Sequence, residues 1–366
     1  MILLLYEDDI ILTGSSDILL SKLVQALSKE FSMKQLGDLN YFLGIEVKRT
    51  TDSLILTQKK YTLRLLTKAN MLECKPYDTP VVKESRASIN DGVLLQNTAE
   101  YRTIVGSLQY LTMTMPDISF GVNYVSQFMH APTDTHYLLV KRILRYLKDT
   151  IGIGLTLRKG GISSVRAYID SDWAGCPDTR RSTYGYAVFM GRSLICWSSK
   201  KQPTVSRSSA EAEYKCLSVT ASELEWLSNV AKHIEVQYHV IRDLVIKGLI
   251  KIQHVPSDNQ IADIFTKGLC SPTFLSLLHQ LSGDTSSTTV EDLKCQNSSC
   301  LACEEELSSD RTSLLFSGLT QGYMFHPERS TRTRSRSLKL WRRQQEMAMK
   351  LRQQEKSDQG IVEIKL

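Results

Sequence analysis

Residues 3–14 read LLLYEDDIILTG, an apolar run, three acids and a second apolar run. Two short apolar runs joined by a polar break predict two strands and a tight turn, with Asp8 and Asp9 at the hairpin tip. Adjacent carboxylates repel one another unless a cation joins them, and a hard ion such as Mg²⁺ prefers carboxylate oxygens. The plain alternative is a solvated surface turn.

Downstream of the hairpin, Leu19, Leu20, Leu23, Val24, Leu27 and Phe31 recur at helical spacing after Ser16, so a helix with one buried face is expected. A second hairpin follows, with YFLGIEV and SLILTQ flanking the polar turn Thr50 to Ser53. From Lys75 to Thr98 the chain is polar and irregular, which suggests a linker or surface loop. Helical patterns run from Tyr101 to Lys148, broken at Met115-Pro116 and near Pro132, where Thr133 can cap the next helix. The β-prone runs IGLTL, VRAYID, TYGYAVFM and SLICWSS then predict three or four antiparallel strands. A helix from Ser209 to about Asn229, a helical stretch HIEVQYHVIRDLVIKG, a strand LIKIQHV and a helix holding QIADIFTKG complete the pattern, which suggests a mixed sheet with helices packed on it.

A second group of acids lies in this half. In AYIDSDWAG, alternation along a strand puts Asp170 and Asp172 on one face. Glu211 and Glu213 open the helix at Ser209, where the helix dipole favours acids in any case, so capping is the plain reading. In HVPSDNQIADIFTK, Asp258 stands at an expected helix start and Asp263 inside the helix.

These stretches carry a resemblance. LLLYEDDIILTG resembles the Tyr-x-Asp-Asp hairpin of copia-type reverse transcriptases, although Glu7 holds a position that is normally small or β-branched. LGDLNYFLGIEV is similar to the segment that grips the primer end, and residues 101–148 resemble the helical connection before the nuclease. The later stretches resemble the ribonuclease H of copia-type retrotransposon Pol polyproteins, whose four carboxylates hold two Mg²⁺ ions and hydrolyse RNA in an RNA–DNA hybrid. The resemblance puts the first carboxylate on Asp170, the second on Glu213 and the fourth on Asp263. His254 falls where related enzymes keep a mobile histidine, while a core or surface histidine is the plain alternative.

The third carboxylate should lie on a strand after the Glu213 helix. Instead ELEWLSNV runs directly into AKHIEVQYHVIRD, so a strand, its aspartate and a helix are missing near residues 230–232. Asp243 and Glu235 are expected too late, on the next helix, to replace it. Loss of a metal ligand should impair hydrolysis severely, and the lost strand leaves ladder groups that a neighbour must cover. The family's remaining polymerase aspartate lies on an earlier strand that this sequence does not include, so polymerase activity is not expected of this chain alone.

The expected architecture is an α+β palm and connection remnant, then an incomplete ribonuclease H-like α/β domain with a mixed sheet, then a disordered tail. The boundaries are 1–74 for the palm and thumb remnant, 75–99 for the linker, 100–150 for the connection, 151–269 for the nuclease-like domain and 270–366 for the tail. The expected function is that of a pseudoenzyme descended from a Mg-dependent enzyme. The rivals are a catalytically dead nucleic-acid-binding protein, with Lys141, Arg142, Arg145 and Lys148 as a basic patch in helical register, and a translated pseudogene without a role.

The composition sets outer bounds. At 366 residues and 42% hydrophobic, the chain has apolar material for one or two cores. Its net charge of +6 belongs to residues 329–366, which carry 11 Lys and Arg against 4 Asp and Glu, so the body shows no charge signature of nucleic-acid binding. The basic run RSTRTRSRSLKLWRR could contact phosphates or be a solvated tail. Eight scattered cysteines fit a reducing compartment better than a disulfide framework. Cys295, Cys300 and Cys303, with Cys270 or His279 as a fourth ligand, could hold zinc, with unstructured cysteines as the plain alternative. No signal peptide and no apolar run of membrane-spanning length are read, so a soluble intracellular protein of the cytoplasm or nucleus is expected.

Overall fold

The hairpin expected at the start of the chain is formed. In this computed structural model, β1 (Ile2–Tyr6) and β2 (Asp9–Thr13) pair antiparallel, from Ile2 opposite Thr13 to Tyr6 opposite Asp9. The structure describes residues 2–6, 9–14, 16–31, 34–83, 86–159, 165–232, 250–283, 323–326 and 362–365. Compactness separates one unit of Met1–Phe42, Ser222–Tyr238 and Glu306–Gln359 from another of Leu43–Ala221, His239–Glu305 and Gly360–Leu366. The first division thus falls at residue 42, whereas the sequence pattern suggests one at 74.

In the first unit, Ser16 caps α1 (Asp17–Glu30) by accepting a hydrogen bond from the Leu19 amide at 3.5 Å. Leu20 and Val24, four residues apart, pack with Leu12 of β2. Leu19 and Phe31, expected on the same face, are exposed. Leu19 is turned a full residue step from Leu20, and Phe31 lies past the helix end with extended backbone. Then come β3 (Lys34–Asp38) and the two-residue β4 (Tyr41–Phe42). The strand between β2 and β3 comes from far along the chain: β12 (Tyr323–His326) is antiparallel to both.

The second unit opens with the expected hairpin of β5 (Ile45–Arg49) and β6 (Ser53–Thr57), closed by the Thr50 amide donating to the Ser53 carbonyl at 2.9 Å. Helices α2 (Lys59–Lys68), α3 (Thr98–Leu111), α4 (Ser119–Ser126) and α5 (Asp134–Asp149) follow. Pro116 opens a 3₁₀ turn before α4, and Thr133 caps α5, the two breaks expected from the pattern. The Thr133 hydroxyl accepts from the His136 amide while His136 Nδ1 accepts from the Thr133 amide, a reciprocal capping box.

The run IGLTL, grouped with the later strands in the sequence reading, forms β7 (Leu155–Arg158) and pairs instead with β6. Gly154 permits this, since a Cβ there would collide with the Leu56 carbonyl oxygen. The remaining sheet runs β10-β9-β8-β13-β11, built from β8 (Val165–Asp172), β9 (Thr183–Met190), β10 (Ser193–Lys201), β11 (Ile250–Gln253) and β13 (Val362–Lys365). Its first three strands are antiparallel, and β13 is parallel to both β8 and β11, giving the mixed sheet expected. After β10 comes α6 (Ser209–Lys232). One apolar cluster joins Tyr101, Ile104, Ile143 and Leu147 of the helices to Ala187, Phe189 and Trp197 of the sheet, so packing is continuous across residue 150.

Two expectations are corrected. The segment around QIADIFTKG forms 3₁₀ turns, Ser257–Asn259 and Ile261–Phe265, in place of an α-helix. All five residues of the second turn are buried, which suits a tight turn whose side chains point to three sides. The chain beyond residue 269, expected as disordered tail, continues as α7 (Ser271–Leu281), with Pro272 in its first turn and Phe274, Leu277, Leu278 and Leu281 buried in the main core. That i, i+3, i+4, i+7 spacing is a helical signature in its own right. The stretch 233–248, Cys295, Cys300, Cys303 and the basic run 329–343 lie outside the described residues. Among the described residues no helix is long and apolar enough to cross a membrane.

Leu277 is fully buried, so Leu277→Ala should cost roughly 2–5 kcal/mol in urea unfolding of the full chain. Exposed Cys270→Ala should stay within about 0.5 kcal/mol. Equal midpoints for the two would remove α7 from the core.

Candidate active site

Asp170 stands near the end of β8, opposite Gly185 of β9. Gly185 is what lets the Ile261–Phe265 turn approach: a Cβ at this position would collide with Phe265. The approach brings Thr266 and Lys267 over the strand end. The Thr266 hydroxyl donates to Asp170 Oδ2. Lys267 Nζ lies 2.9 Å from Asp263 Oδ1 and 3.6 Å from Asp170 Oδ2, so one ammonium serves both acids.

The electrostatics follow from that geometry. Asp263 is 6% exposed, and burial together with the Asp170 charge pushes its carboxyl up to about 6 against the opposing pull of Lys267. Burial pulls the Lys267 ammonium down, but Asp170 and Asp263 outweigh it and hold the group above its ordinary range. Asp172, two residues on from Asp170, is raised by burial first and by Asp170 in addition, with Arg86 opposing. Arg86 reaches Asp172 Oδ1 at 3.3 Å and the Gly175 carbonyl at 3.2 Å. Each of the two acids at this end of β8 thus has its own cation.

Glu213 is not brought into the group. It is exposed on α6, one turn before Cys216. Cys216 is buried, its Sγ 3.4 Å from the Gly185 carbonyl, and burial pushes the thiol up to about 12. Glu211 takes the capping role, accepting from the Arg207 amide at 2.8 Å and pairing with Lys215 at 2.8 Å. His254 and Asp258 are exposed beyond β11. Among the described residues no three of His, Cys, Asp and Glu are grouped to hold a metal ion. Asp8, Glu235 and Asp243 lie outside the described residues, as does the side chain of Asp9.

The basic stripe on α5 is turned partly inward. Arg142 donates to the Thr79 hydroxyl at 2.7 Å and Arg145 Nε to the Lys75 carbonyl at 2.6 Å, both guanidinium groups lying over the Tyr77 ring. Lys141 sits 4.9 Å from the centre of the Tyr137 ring, and Lys148 lies in the last turn, where the helix dipole favours it. Two of the four cations expected as a nucleic-acid patch are therefore a clamp on the segment after α2.

Residues 1–83 match the reverse transcriptase (RNA-dependent DNA polymerase) family. The chain is 43% identical over 305 residues to the retrovirus-related Pol polyprotein from transposon RE2 of Arabidopsis thaliana, an alignment covering 74% of this chain and 21% of that protein. It is 34% identical over 312 residues to the Pol polyprotein from transposon TNT 1-94 of Nicotiana tabacum, covering 73% of this chain and 23% of that protein. The chain belongs to the copia-type retrotransposon Pol polyprotein family. An uncharacterized mitochondrial protein of Arabidopsis thaliana is 52% identical over 228 residues, covering 62% of this chain and 95% of that protein. This Pol-family chain spans about a fifth of the length of the two transposon polyproteins. No solved structure matches it.

Within this Pol-family chain, sequence reasoning missed the two cations. Lys267 had a legible signal, since it follows Asp263 by four residues. Arg86 had none, because its partner Asp172 is distant in sequence.

A carboxyl whose folded pKa lies above its unfolded value favours folding only while protonated. Its contribution is complete below the unfolded value near 3.8 and is lost as pH rises through about 6. Asp263→Asn should therefore melt higher than wild type at pH 7, by an equivalent of about 2–3 kcal/mol, and the two should converge near pH 4. Asp117, pushed to about 6 by burial while Tyr146 donates to it, acts in the same direction. The variant should thus keep part of the wild-type slope. Melting curves across pH 4–8 that stay parallel would contradict this.

Proposed function

We propose that this chain is a relic of a reverse transcriptase joined to an incomplete ribonuclease H, with hydrolysis of RNA in RNA–DNA hybrids lost or severely impaired. The observation that carries the reading is the Lys267 ammonium shared by Asp170 and Asp263. A Mg²⁺ pair would activate water and stabilise the leaving oxygen. Holding such a pair takes several carboxylates, and among the described residues no three metal-ligating side chains are grouped. The donor set of the described residues does not fit a two-ion centre.

The neighbouring strands support the same reading. β13 pairs through Val362–Lys365 with Val165–Tyr168, so none of its described residues stands opposite Asp170. The third ligand that the resemblance implies belongs to a strand after the Glu213 helix. Beside the amino-terminal hairpin, β12 reads YMFH and brings no carboxylate to β2.

The inward turn of Arg142 and Arg145 weakens the rival reading of a nucleic-acid-binding protein built on α5. The test is a Mg²⁺-dependent cleavage assay of the full chain on labelled RNA–DNA hybrid, with Asp170→Asn as control. Wild type should not exceed the control, and cleavage that disappears in Asp170→Asn would overturn the reading.

A further inference from the structure

The sheet order places a strand from the end of the chain in an interior position. β8 has β9 on one side, and on the other it meets β13 rather than β11. β11 has β13 as its ladder partner in that order. Val362, Glu363, Ile364 and Lys365 stand opposite Val165 to Tyr168 on one side and opposite Ile250 to Gln253 on the other, parallel in both ladders. The sequence IVEIKL alternates apolar and charged residues, a strand pattern in a stretch that otherwise carries a polar helix-former composition.

We propose that residues 362–365 are a strand-donating segment, and that the slot between β8 and β11 is a strand-accepting site left open by the loss of a strand near residues 230–232. The slot belongs to the nuclease reading, but its occupancy rests on the sheet register alone. Two parallel strands cannot face each other across an open gap without leaving rows of amide and carbonyl groups unmade. A segment that pairs on both sides satisfies both rows at once. The entropy cost of closing a loop grows only with the logarithm of its length, so the long stretch of chain before residue 360 does not forbid the return.

The pairing also bears on the acidic site. β11 leads into the turns that carry Asp263 and Lys267, while β8 carries Asp170. β13 is the backbone link that sets β11 at its distance from β8, so the donated strand positions the two halves of the ion-paired group.

Amide hydrogen exchange on the full chain tests this directly. In wild type, amides of 362–365 should be protected together with those of 250–253. Ile364→Pro removes a backbone donor from the middle of a four-residue interior strand, where proline is not tolerated, and should speed exchange in both segments by roughly tenfold or more, with a lower melting temperature. Ser357→Pro, outside the strand, should change neither. A synthetic peptide of residues 360–366 added to Ile364→Pro should restore protection at 250–253. Unprotected amides at 362–365 in wild type would overturn the proposal, even if Ile364→Pro failed to fold. Unchanged protection at 250–253 in a folded Ile364→Pro would do so as well. Neither result depends on whether the chain cleaves hybrid, so the two readings fail separately.

Discussion

Two carboxylates held close in a partly dry pocket must find a positive charge, and in this chain that charge is a lysine. Asp170 reaches the pocket from a strand and Asp263 from a buried 3₁₀ turn, with the glycine at 185 allowing the turn to press on the sheet. Lys267 follows Asp263 closely enough to fold back over both. Burial and mutual repulsion keep Asp263 reluctant to ionise even so.

A second constraint is the demand of sheet backbones for partners. In both units a strand from beyond residue 320 enters a sheet formed by much earlier residues: β12 lies between β2 and β3, and β13 between β8 and β11. In each sheet the late strand pairs on both of its sides. A sheet missing an interior strand is worse off than one missing an edge, because two rows of polar groups lose their partners together. The late strands meet that demand, since pairing needs only backbone and alternation.

Much of this was legible in the residues. The hairpin of residues 2–13, the Ser16 cap, the break at Pro116, the Thr133 cap and the β8–β10 meander all rest on local signals, and local signals survive into the fold. Asp170 and Asp263 were also legible, and they do meet. The misses are of two kinds. β7 sits in another sheet, and β12 and β13 fill interior slots, because strand partnership is a long-range property that periodicity does not encode. Helix α7 is different: its apolar spacing is plain in the sequence, but it lies past the stretches that carry the familial resemblance. Arg142 and Arg145 show the limit of reading charge in helical register, since register says which residues share a face and nothing about whether that face meets water.

The lysine also determines what could reopen the pocket. A cation entering between Asp170 and Asp263 must displace the Lys267 ammonium or share its oxygens. Raising the pH does not help it, because the same two carboxylates hold Lys267 protonated beyond its ordinary range. Lowering the pH works against it too, since Asp263 protonates near the value to which burial has pushed it, and a neutral carboxyl is a poor ligand for a hard ion. Between those limits the lysine and the incoming ion compete for the same oxygens. A divalent ion wins such a contest when further carboxylates complete its shell. Glu213 is exposed and turned to solvent rather than joined to the pair, and β13 brings its described residues alongside β8 only as far as Tyr168. Among the described residues, the lysine is the cation that Asp170 and Asp263 share.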